Sequence, residues 1–129
     1  MNATIGQAGE YLCAAILIEM KIQTMVSPTE GADLLAFCNN RYWRIEVKTA
    51  NKLEARDSTL FHFGTSRGSK VKTKVTIEKC DIVALCALPF RRVIFRHVNA
   101  ITSKSTRLSK NRFIAGCERE SWQESISWT

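Results

Sequence analysis

Tyr42-Trp43-Arg44-Ile45-Glu46-Val47-Lys48-Thr49 is the stretch on which the reading of this chain turns. Its residues alternate as a half-buried strand does. Trp43, Ile45 and Val47 face one way, and Tyr42, Arg44, Glu46 and Lys48 face the other. The first set suits a core and the second a cleft. Just upstream, Asn39-Asn40 marks a turn, and Ala32 to Cys38 is an apolar run of strand length. Asp33 stands near the start of that run. Antiparallel strands joined by a turn bring residues near their ends side by side, so Asp33 is expected to approach Glu46 across a hairpin.

Two ionised carboxylates about 4 Å apart repel by about 4 kcal/mol at an effective dielectric near 20. A divalent cation removes that repulsion. Mg²⁺ takes hard oxygen ligands and keeps several waters, so two or three carboxylates suffice, with the carbonyl of Val47 as a further ligand. Such an ion acidifies a water for attack. Lys48 can orient that water or stabilise the negative charge that builds on a phosphorus centre. This equipment fits hydrolysis of a phosphodiester. A Glu-x-Lys on a strand is unspecific by itself, since most such pairs are solvated; the surrounding residues give it weight.

Farther upstream, Gly6 to Lys21 reads as a helix of good helix formers, apolar nearly all round and therefore mostly buried. Glu10 and Glu19 project from opposite sides of it. Glu10 is thus the helical acid available to the cleft, where it can recruit a second ion. Ile22 to Val26 reads as a strand and Ser27 to Gly31 as a turn. Downstream come a polar loop (51–58), a strand (59–64) and a basic loop (65–74). Asp81 to Leu88 and Arg91 to Val98 form an apolar hairpin. Thr102 to Asn111 is polar, basic and partly helical. Cys117 to Ile126 is a short helix with Trp122 on its packed side. This order describes an α/β domain with a mixed central β-sheet flanked by helices.

The 129 residues amount to one domain, with a core over about 5–98 and a basic C-terminal extension over about 99–129. A net charge of +7 favours an anionic partner. Its placement matters more than its size. Between Ile82 and Cys117 there is no acid, against seven cations: Arg91, Arg92, Arg96, Lys104, Arg107, Lys110 and Arg112. Such segregation suits a surface that tracks phosphates. Candidate phosphate contacts, which would serve as DNA-binding residues if the anion is DNA, are Lys52, Arg67, Lys70, Lys72, Lys74, Arg91 and Arg92. No basic amphipathic helix accompanies the charge, which argues against a membrane surface. The cysteines at 13, 38, 80, 86 and 117 are odd in number and lack zinc-knuckle spacing, so the protein is expected to be reduced and intracellular.

Gly6-Gln7-Ala8-Gly9-Glu10, Gly31-Ala32-Asp33-Leu34-Leu35 and Arg44-Ile45-Glu46-Val47-Lys48-Thr49 together resemble the PD-(D/E)XK nuclease superfamily. Lys79 to Leu85 resembles its later core strand. Within the superfamily the chain is similar to small archaeal-type Holliday junction resolvases and to the intron-encoded homing endonuclease branch. The resemblance implies a restriction-endonuclease-like fold and Mg²⁺-dependent cleavage of DNA, with Mn²⁺ as a substitute ion. It makes Asp33 and Glu46 metal ligands, Lys48 the catalytic lysine and Glu10 the helix-borne acid. One departure is visible: Ala32, not proline, precedes Asp33, and Pro28 lies five residues before Asp33. The Phe61-His62-Phe63 run and the basic loop tilt the reading toward the homing branch. A structure-selective resolvase and a non-catalytic DNA-binding protein are the alternatives. One site per small chain implies a homodimer, or a dimer of dimers, if both strands are cut.

Overall fold

The computed structural model describes residues 3–28, 31–67 and 73–128. Lys70 and Lys72 lie outside the described residues, as does the side chain of Arg67. The elements follow in chain order as α1 (Ala3–Glu19), β1 (Gln23–Val26), β2 (Leu34–Cys38), β3 (Arg41–Ala50), β4 (Leu60–Gly64), β5 (Ser66–Arg67), β6 (Thr73–Lys74), β7 (Ile82–Ala87), β8 (Arg92–His97), β9 (Ser105–Ser109) and α2 (Cys117–Ile126). The main sheet has the order β1-β2-β3-β7-β8. Only the β3–β7 pair is parallel.

The β2–β3 hairpin closes through Asn39 and Asn40, both at positive φ (53° and 63°). Cys38 pairs with Arg41 across them, so two residues make the loop. Asparagine tolerates this left-handed backbone, and the resulting twist matches that of the strands it joins.

Both faces of the central strands are covered. Trp43, Ile45 and Val47 of β3 pack with Ile82, Ala84 and Cys86 of β7 in a core that also takes Cys13 and Leu17 of α1 and Trp122 of α2. Phe95 meets Trp122 edge to face, with ring centroids 5.2 Å apart. On the opposite face Ala50, Val83, Leu85 and Ala87 pack under Phe61, Phe63, Leu108 and Phe113. Every residue of β7 is therefore buried, as expected of a strand with cover on both sides. The alternation read for β3 holds, with Glu46 and Lys48 on the face away from the helices.

Two expectations are corrected. Thr102 to Asn111 holds no α-helix, and only its last two residues enter a single 3-10 turn, Lys110–Arg112. Its central residues form β9, which pairs antiparallel with β4, and Leu108 lies opposite Phe61. A single buried apolar residue in a polar stretch gives no helical stripe, and the ladder to β4 supplies what local pattern does not. Nor is α1 mostly buried: Tyr11 and Ile18 are 55% and 54% exposed. The helix lies on one face of the sheet, so only Gly9, Cys13 and Leu17 are fully covered. Residues 99–129, read as an extension, supply β9 and α2, and Trp122 sits in the main core. No described helix is long and apolar enough to cross a membrane.

Candidate functional site

The β2–β3 ladder ends at the pair Leu34–Ile45. One residue earlier, Asp33 donates its amide to the Ile45 carbonyl at 2.9 Å. Its carboxylate then turns along β3, and Oδ2 accepts from the Val47 amide at 2.8 Å. Asp33 thereby satisfies a backbone donor that no β2 residue reaches, and is pinned against the segment carrying Glu46 and Lys48. The carbonyl of Val47 leaves the strand on the same edge as its amide, toward Asp33.

Glu46 is only 6% exposed. Its Oε2 lies 3.7 Å from Lys48 Nζ, two residues along the same face. Burial makes this pair more than a solvated surface contact, because a carboxylate out of water requires a compensating charge.

Glu10 reaches the site from α1, and a close approach sets its position. A β-carbon on the preceding Gly9 would stand 1.9 Å from Thr49 Oγ1, so only glycine lets α1 lie this near to β3. Burial raises the proton affinity of Glu10 above the ordinary carboxylate value, and the charge of Asp33 raises it further. The two acids thus sense each other. Cys13 lies beneath them, and its thiol is pushed well up by burial first, then by Cys86 and Asp33. It remains a neutral thiol that serves packing.

The structure therefore brings Glu10 toward Asp33, Asp33 onto Val47, and Glu46 to Lys48. It does not gather the three carboxylates into one cluster: among the described residues, no three His, Cys, Asp or Glu side chains stand together as ion ligands. The available donors are nonetheless hard oxygens, those of Asp33, Glu46 and the Val47 carbonyl. That set fits Mg²⁺ or Mn²⁺, which keep waters in the remaining positions.

The other expected contacts are dispersed. Lys52 lies just past β3 and lines a cleft of about 670 Å³ with Thr49, Ala50, Arg56 and His62. Arg91 and Arg92 sit at the β7–β8 turn. Arg91 donates to the Leu88 carbonyl, while Arg92 lies 3.3 Å from Glu118, a nearly buried acid that also caps the Val93 amide at 2.8 Å. Lys74 donates to the Val75 carbonyl. In the sequence Arg56 stands in the polar loop after β3 and His62 in the Phe61-His62-Phe63 run, and nothing in their spacing showed that β4 and that loop enclose one space.

No protein-family model matches the chain, and no curated protein matches it. Solved structures do. The bacterial homing endonuclease I-Ssp6803I superposes with a TM-score of 0.74 over 94% of this chain and 90% of its own, at 12% identity. The chain has the restriction-endonuclease-like fold. The Holliday junction resolvase Hjc of Archaeoglobus fulgidus, an archaeal hyperthermophile, gives a TM-score of 0.55 over 96% of this chain and 98% of its own, at 18% identity. At these identities the likeness is one of fold, and what the side chains do must be argued from this chain.

Proposed function

We propose that this protein is a metal-dependent endodeoxyribonuclease that hydrolyses phosphodiester bonds in DNA, in the manner of a homing endonuclease. The observation that carries the reading is the Asp33 carboxylate on the Val47 amide. It sets an acid beside the strand that presents a buried Glu46 and Lys48, in a fold shared with two nucleases.

Asp33, Glu46 and the Val47 carbonyl would hold Mg²⁺, or Mn²⁺ in its place, and Glu10, on α1 beside Asp33, would recruit a second ion. When bound, such an ion would supply positive charge against the phosphate and acidity to a nearby water. The chain's own residues do the rest. Lys48 keeps its ammonium beside Glu46 and offers its protons to the attacking water or to a phosphate oxygen. Asp33 fixes the β3 backbone from which both side chains project. Lys52, Lys74, Arg91 and Arg92, with Arg67, Lys70 and Lys72, would contact the DNA backbone. The protein would act as a homodimer or dimer of dimers, one site per strand. All five cysteines are free, which suits a reducing, intracellular setting.

A second reading is a structure-selective Holliday junction resolvase, supported by the near full-length superposition on Hjc. A protein that binds DNA without cutting it is the third. The test offers plasmid, linear duplex, four-way junction and single strand to the protein with Mg²⁺, with and without chelator. Cutting of duplex that requires the metal, and is lost in Lys48→Ala and Asp33→Ala proteins that still fold, supports the endonuclease. Cutting confined to the junction supports the resolvase. Binding without cutting under any condition would overturn both enzymatic readings.

A further inference from the structure

The cleft beyond the C-terminal end of β3 stands apart from the carboxylates but shares their strand. Glu46, Lys48 and Ala50 occupy alternate positions of β3 and so the same face, and Ala50 lines the cleft. Two residues of strand advance about 6.6 Å. A DNA strand advances about 3.4 Å of helix axis per nucleotide. The mouth of the cleft therefore lies about two nucleotides of helix axis from a phosphate held at Lys48.

Its walls have the character such a neighbour requires. Lys52 and Arg56 come from the loop after β3, and His62 comes from β4. Among the described residues the one acid lining it, Glu54, is already engaged: its Oε1 accepts from Arg107 Nε at 3.0 Å, and Arg107 is the β9 partner of His62. The acid is thus balanced by its own cation, leaving Lys52 and Arg56 to face an incoming anion. Nearby Asp57 is turned onto Thr59, whose amide it accepts at 2.9 Å. The volume of about 670 Å³ is within the range that encloses a small ligand. Ile5 and Leu53 give it an apolar wall against which a sugar can lie.

We infer that this cleft seats the sugar–phosphate unit about two nucleotides from the scissile bond, with Lys52 and Arg56 on its phosphate and His62 beside its sugar. The inference rests on the nuclease reading for its register but not for its test. Lys52 and Arg56 are exposed loop residues, so a Lys52→Gln/Arg56→Gln protein should fold as the wild type does, which thermal unfolding checks. The probe is a short fluorescent duplex, bound in Ca²⁺ at stepped KCl concentrations. Each phosphate contact contributes about 0.9 to the slope of log affinity against log salt. The double variant should lose about 0.9 to 1.8 of that slope. A Lys79→Gln protein, altered at an exposed lysine before β7, should lose less.

An unchanged slope in the double variant, or an equal loss in Lys79→Gln, overturns the inference. If the wild type cuts, a second measurement fixes the register. Replacing single phosphates flanking the cut by methylphosphonates should slow wild-type cleavage most at the second neighbour, and that position should cease to matter in the double variant. Equal sensitivity in both proteins would also overturn the inference. A wild type that cuts nothing but shows the slope difference would overturn the nuclease reading and leave the cleft as a phosphate contact.

Discussion

Gly9 of α1 faces the Thr49 hydroxyl of β3 with no room for a methyl group: a β-carbon there would lie 1.9 Å from Oγ1. Thr49 Oγ1 is buried without a hydrogen-bond partner among the described residues, so this contact is one of shape. Gly9→Ala should gain up to about 1 kcal/mol of helix propensity and lose about 1–3 kcal/mol to overpacking. The net expectation is a destabilised protein with Glu10 displaced from Asp33. Thr49→Ala removes Oγ1 and Cγ2 and leaves only the Thr49 β-carbon at 3.0 Å, so the double variant should recover part of the loss. Chemical denaturation of the four proteins checks this; strictly additive effects would show that the two residues do not oppose each other.

The Asp33–Val47 hydrogen bond separates a structural role from a chemical one. Asp33→Ala leaves the Val47 amide without its acceptor, at a cost of about 1–3 kcal/mol. Asp33→Asn keeps an acceptor oxygen but removes the charge. The Asn variant should therefore melt close to the wild type and still lose metal-dependent cleavage. Cleavage retained in Asp33→Asn would remove Asp33 from the ion's ligands.

Much of this site was legible because β3 is governed by local pattern. Strict alternation from Trp43 to Lys48 fixed which side chains face the core, and Asn39-Asn40 fixed the turn that brings Asp33 back to the strand. Four features were not legible. The β4–β9 ribbon joins residues far apart in sequence, and Thr102 to Asn111 has too few apolar residues to announce a strand. The one-sided burial of α1 depends on where the sheet lies, and an all-round apolar helix does not encode that. The cleft at Lys52, Arg56 and His62 exists only once β4 folds over the end of β3. Gly9 was quoted for its motif, yet its close approach to Thr49 becomes visible only with the backbone in place.

Glu10 makes the ion-free protein sensitive to pH. Its folded proton affinity lies above the ordinary value of 4.5, through burial and then the charge of Asp33. A group of this kind contributes its stability below the unfolded value and loses it as pH rises through the folded one. Melting temperature should thus decline on raising the pH above 4.5, and Glu10→Gln should flatten that decline. A bound cation reverses the preference, because it favours the ionised carboxylates. Mg²⁺ affinity in the wild type should therefore tighten over the same pH rise, with proton release measurable by calorimetry in buffers of different ionisation enthalpy. No change in proton release between wild type and Glu10→Gln would separate Glu10 from the ion.

Asp81 tests the opposite sign at a place that holds the sheet rather than the chemistry. Its carboxylate accepts from the Arg44 amide at 2.8 Å and from Arg44 Nε at 3.1 Å, and Arg41 lies 3.2 Å away. The Asp81 amide donates in turn to the Arg44 carbonyl, so β3 and the start of β7 are clamped from both directions. Burial alone would raise its proton affinity, but the hydrogen bonds from Arg44 and the two guanidinium charges outweigh burial and hold it below the ordinary 3.8. The clamp's contribution is then complete above 3.8 and fades as pH falls through the lower folded value. Asp81→Asn should cost about 2 kcal/mol near neutral pH and reduce the loss of stability on acidification. Among the described residues the Asp81 carboxylate is held by Arg44 and Arg41, so turnover well below the melting temperature should match that of the wild type. A variant with unchanged stability but lost cleavage would move Asp81 from the scaffold into the site.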